Sequence, residues 1–150
     1  MTPVGPLVKQ ILAAALVAAM SISSTAIAET SKLPKVCLTA FVPNGSQTRF
    51  LAQLEEFAKD RAFSSDIAPM APDGSLYRAY LWSQDIEIIA ANPFSTCTFE
   101  IGMYEFKSPV PAERFEGVAS ELAQSIRNVE NVEIVVRECS AGSTPARSCQ

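Results

Sequence analysis

The sequence predicts an α+β fold, a split β-α-β sandwich of the ferredoxin-like kind, with two helices on one face of an antiparallel sheet. Three observations predict it. Residues 47–63 and the stretch after Pro111 repeat apolar residues at helical spacing. Several shorter segments alternate with a period of two, as half-buried strands do. Their order is strand, helix, two or three strands, helix, strand, and right-handed crossovers then place both helices on the same side.

Residues 1–28 read as a secretory signal peptide. Lys9 is their only charge, 11–20 is apolar and rich in Ala, and Ala26-Ile27-Ala28 gives the small-x-small pattern ahead of Glu29. The rival is a retained anchor. A comfortable span needs about 18 apolar residues, and Ser21, Ser23, Ser24 and Thr25 interrupt this run. The expected mature chain, 29–150, is exported, periplasmic or extracellular, and not membrane-spanning. It comprises one domain, 29–139, and a loosely ordered tail, 140–150, rich in Ser, Ala and Pro. A domain of this size buries roughly two thirds of its unfolded surface, enough for a core without a metal staple.

The first strand is 36–42, with Val36, Leu38, Ala40 and Val42 on one face and Cys37, Thr39 and Phe41 on the other. Pro43-Asn44-Gly45-Ser46 turns the chain, with left-handed backbone expected at Gly45 and Ser46 as helix N-cap. Over 47–63, Phe50, Leu51, Leu54, Phe57 and Ala58 form the apolar stripe. Residues 64–75, with Pro69, Pro72 and Asp73-Gly74, read as a loop. The aromatic stretch 76–82 reads as an extra edge strand, with Tyr77, Tyr80 and Trp82 along the sheet margin.

The central hairpin is 86–91 and 97–106, joined at Asn92–Thr96. Phe99, Ile101 and Met103 share its core face, and Glu100, Tyr104 and Phe106 the other. Pro109 and Pro111 open the second helix, whose stripe is Phe115, Val118, Ala119, Leu122, Ile126 and Val129. The last strand is 132–137.

All four Cys lie beyond the signal segment, and an even count in an exported chain favours disulfides. The topology makes the first and last strands antiparallel neighbours, which brings Cys37 near Cys139. A Cys139–Cys149 clasp of the tail is the alternative. Zinc is disfavoured, because the chain has no C-x-x-C pair and no His.

The absence of His removes Ser-His-Asp and Cys-His catalysis and His-ligated metals. Asp85 and Glu87 fall on one face of a strand, where a carboxylate pair would bind a cation or move protons. They lack further oxygen ligands and read as a solvated face. Asn44-Gly45-Ser46 matches a glycosylation acceptor and equally a turn. The net charge of −4, with scattered basic residues, disfavours nucleic acid as a partner. No cofactor motif is present.

The aromatic residues Phe41, Tyr104, Phe106 and Trp82 have the parity or place of the sheet face that the helices leave open. Such residues point to a cover, whether the tail, a ligand or a second copy of the chain. The expected function is therefore an exported, disulfide-stabilised binding or interaction module of unknown protein or small-molecule partner, without catalytic signature. The alternatives are a dimeric pocket enzyme or ligand-sequestering protein using carboxylates such as Glu100 or Asp85, and a structural envelope component with an all-polar outer sheet face.

Overall fold

The computed structural model describes residues 33–68, 78–92, 96–139, 147 and 149. The signal segment, Tyr77 and most of the tail lie outside them. Six strands and two helices occur among these residues: β1 (Val36–Phe41), α1 (Gln47–Asp60), β2 (Ser64–Ala68), β3 (Arg78–Trp82), β4 (Ile86–Ala91), β5 (Thr98–Glu105), α2 (Ala112–Arg127) and β6 (Glu133–Arg137). The sheet runs β2-β3-β4-β5-β1-β6, with every neighbour antiparallel. Its β4-β5-β1-β6 portion has the ferredoxin-like strand order, and the β2–β3 hairpin extends it on the β4 side.

Burial explains the elements. Leu38, Ala40, Ile88, Phe99, Ile101 and Met103 face the helices and are almost fully buried. Phe50, Leu54 and Phe57 from α1, with Leu122 and Ile126 from α2, complete one core. The Phe50 and Phe99 rings meet at 4.6 Å between centroids. α1 lies over β2 and β3, and α2 over β1 and β6.

The end of α1 differs from the helix expected over 47–63. Phe63 N–H donates to the Ala58 carbonyl at 2.8 Å, and Ala62 N–H to that of Lys59 at 3.4 Å. Ala62 has φ 56°, the left-handed residue of a Schellman stop. The Phe57–Phe63 contact, 6.0 Å between ring centroids, is the apolar pair that accompanies this motif. Ala occupies a position that usually holds Gly, so the stop has no glycine signal in the sequence.

The stop sends the chain straight into β2, where a loop was expected. Ser64, Ser65, Asp66 and Ala68 are exposed, and the strand is held by its ladder to β3. β3 is therefore not the edge of the sheet; β2 is. Two details of the α1 entry also differ from expectation. Gly45 has no left-handed backbone and sits in a 3-10 turn, Asn44–Ser46. Ser46 stands at the N-cap without capping, and its hydroxyl donates to the Glu130 carbonyl at 2.9 Å. That bond ties the start of α1 to the segment after α2.

Two disulfides close the sheet. Cys37 of β1 is bonded to Cys139, 102 residues away, and Cys97 to Cys149, 52 residues away. Cys149 therefore does not pair with Cys139.

Two stability outcomes follow. Ala62→Gly should stabilise the fold by about 1 kcal/mol, read as a higher urea midpoint, because glycine takes left-handed backbone without a Cβ clash. An unchanged or lower midpoint would contradict the strained stop. Replacing both Cys37 and Cys139 by Ala should cost about 2–5 kcal/mol in the same measurement, because the bridge closes a long loop.

Candidate functional site

The face away from the helices carries the candidate site. Register aligns it in rows. Trp82, Glu87 and Tyr104 form one row across β3, β4 and β5, and Tyr80, Ile89, Gly102, Cys37 and Arg137 form the next. Phe41 lies at the other end of β1, opposite Thr98 and Glu133.

The two ends differ. At the Phe41 end, the Arg147 guanidinium lies 3.7 Å from the ring centroid, a cation–π contact. Arg147 N–H donates to Thr98 Oγ1, and Cys97 N–H donates to the Arg147 carbonyl, both at 3.1 Å. The guanidinium also pairs with Glu133 at 3.1 Å. With Cys149 bonded to Cys97, Arg147 and Cys149 are fastened at this end. Cys37, Thr39 and Thr98 point outward yet are buried. The sheet face is thus closed over β1, with Arg147 and Cys149 of the tail beside it. A shallow cleft of about 190 Å³ remains beside Phe41, lined also by Pro43, Asn131, Glu133 and Arg147.

The Trp82 end stays half-exposed. Tyr80 and Trp82, two apart on β3, stack at 4.9 Å with 21° between ring planes. The Tyr80 hydroxyl donates to Glu87 Oε2 at 2.7 Å. Tyr104 lies back over Gly102: a Cβ there would stand 2.8 Å from the phenol oxygen. Glycine at this strand position permits the close approach. Burial, then the Glu87 hydrogen bond and charge, push the Tyr80 phenol up to about 12. Burial and the Glu87 charge also raise Tyr104. Burial first, and the nearby Glu87 charge after it, thus disfavour the ionised form of both phenols.

Asp85 and Glu87 do not form a pair. Asp85 precedes β4 in a turn, accepts from the Ser83 hydroxyl at 2.7 Å and pairs with Arg114 of α2 at 3.2 Å. The Ser83 hydrogen bond and Arg114 hold its carboxyl below the usual range, against the effect of burial. Glu100 pairs with Arg137 at 3.3 Å in the middle of the outer face. Phe106 lies just past β5, with Lys107 Nζ 4.8 Å from its ring centroid. Of the aromatic set, the register brings Trp82 and Tyr104 together and leaves Phe41 apart.

Sequence reasoning placed Tyr80 at the margin and Glu87 in solvent. The signal for their meeting is Tyr80-x-Trp82 followed by a turn of the chain at Ser83, which folds β4 back beside β3. Among the described residues no group of acidic, Cys or His side chains can hold a metal ion, and every cysteine is in a disulfide. The patch offers ring surface, phenol donors and one carboxylate, the means of stacking and hydrogen bonding. No protein-family model matches the chain, and no curated protein matches it at a significant level.

Tyr80 contributes stability that is present below its ordinary pKa of 10.0 and is lost as pH rises toward about 12. Glu87→Gln should lower the Tyr80 and Tyr104 titrations, read by near-ultraviolet absorbance. Tyr80 should remain above its ordinary value, because burial is the first cause. Unmoved titrations would remove Glu87 from the account.

Proposed function

We propose that the chain is an exported, doubly bridged interaction module, cleaved after Ala28, that meets a partner through Trp82, Tyr80, Glu87 and Tyr104. The observation that carries this reading is the stacked Tyr80–Trp82 pair, half-exposed beside Tyr104 on a face that neither helix covers. Aromatic side chains with polar tips suit interfaces, since they bury large area and keep a hydrogen-bonding handle. A fitting partner, protein or small molecule, brings apolar or planar surface to the rings and a donor to Glu87. Phe106 belongs to the margin of the patch, and Phe41, at the other end of the face beneath Arg147, lies outside it. Two disulfides fit an oxidising compartment. No helix among the described residues is long and apolar enough to cross a membrane.

The carboxylate-enzyme reading has less support. Asp85 is engaged by Arg114 and held ionised, which suits neither a proton donor nor a base near neutral pH. An envelope component with an all-polar outer face fits poorly with Trp82 and Tyr104 on that face.

Native mass spectrometry of the protein from the exported fraction tests the proposal. A retained partner or adduct is expected. Trp82→Ala and Tyr104→Ala should lose it, while Thr48→Ala on the exposed side of α1 should keep it. Trp82 is the sole Trp, so its emission should shift when the partner is added back. Retention by both aromatic variants would sink the proposal.

A further inference from the structure

The two edges of the sheet differ in what they present to another copy of the chain. β2 is paired only with β3, and β6 only with β1, among the described residues. An edge strand offers backbone donors and acceptors to a further strand. When an edge pairs antiparallel with its own copy, a twofold axis relates the two strands. Centred on Asp66, β2 would set two carboxylates opposite each other, and like charges there oppose pairing.

β6 behaves in the opposite way. It reads Glu133-Ile134-Val135-Val136-Arg137. A twofold at Val135 sets Val135 against its own copy, Ile134 against Val136, and Glu133 against Arg137. Every pair is complementary. Val135 is 44% exposed and Val136 61%, and with Leu33 they are the large apolar side chains left in solvent among the described residues. The two valines lie on opposite faces, since Val135 aligns with Thr39 and Val136 with Leu38. A ligand on either face would cover one of them; a strand added at the edge covers both.

We infer that β6 is a homodimerisation edge, where two copies join β6 to β6 antiparallel about Val135 and continue one sheet across both. The ion pairs already present extend across this junction. Arg147 holds Glu133, and Arg137 holds Glu100. Pairing places Glu133 of one copy beside Arg137 of the other, which gives an unbroken alternation of sign. This surface is separate from the Trp82 patch, so its failure and that of the partner proposal are distinguishable.

Sedimentation velocity on the oxidised protein, over a concentration series, is the first test. A concentration-dependent dimer is expected, and a weak one because the edge is short. Val135→Lys sets two ammonium groups opposite each other and should weaken the dimer by about tenfold or more. Glu133→Arg alone and Arg137→Glu alone should each be monomeric. Mixed together they should form a heterodimer, since both charge pairs become complementary again. Should Arg137→Glu fail to fold, Val135→Cys decides, because mild oxidation should link residue 135 to residue 135 while both native disulfides stay intact. A monomer up to about 1 mM, a dimer indifferent to Val135→Lys and Glu133→Arg, or no 135–135 link would each overturn the inference.

Discussion

The structure depends on β1 being held between β5 and β6. It is the first strand of the domain, and its neighbours come from the later half of the chain. Leu38 and Ala40 are sealed by the helices, and Cys37 and Thr39 are buried on the other face. A strand buried on both sides must satisfy its backbone through both ladders, and β1 does so. Pairing strands so distant in sequence carries a loop-closure cost. The Cys37–Cys139 bridge joins the same two regions covalently and limits that cost in the unfolded chain.

The outer face takes its character from the same constraint. Because Cys149 is bonded to Cys97 and Arg147 lies against Phe41, the β1 end of the face is occupied by the chain's own Arg147 and by disulfide sulfur. Among the described residues, the far end, on β3, β4 and β5, has no such fastening. There the rings of Tyr80 and Trp82 support each other, and Glu87 accepts a phenol hydrogen bond. The closed half is held by the chain's own contacts, and the open half leaves Tyr80, Trp82 and Tyr104 half-exposed. This division, rather than the fold class, directs attention to Trp82, because one architecture serves many functions.

Charge manages the sheet edges. Asp66 sits in the middle of β2 and guards it against a like strand. Glu133 and Arg137 bracket two exposed valines on β6. The same backbone pattern at the two edges therefore has different consequences, fixed by where the charges fall relative to the strand centre.

Helices and central strands were legible in the sequence because their burial is one-sided and periodic. The stripe Phe50, Leu51, Leu54, Phe57, Ala58 is the buried face of α1, and Phe99, Ile101 and Met103 alternate as read. β2 was not legible: Ser-Ser-Asp-Ile-Ala is exposed except at the half-buried Ile67, and it is paired through backbone N–H and C=O groups, which every residue but proline carries in full. The stop at Ala62 was hidden because tertiary packing of Phe63 on Phe57 imposes left-handed backbone on a residue that does not prefer it. Asp85 and Glu87 looked like a pair because strand parity was extended into a turn. The sequence alone determined which segments bury one face, since that depends on spacing within a few residues. Which cysteine Cys97 meets, which aromatic residues share a patch and which half of the sheet stays open were decided by tertiary structure, because each depends on distances between segments that local periodicity does not encode.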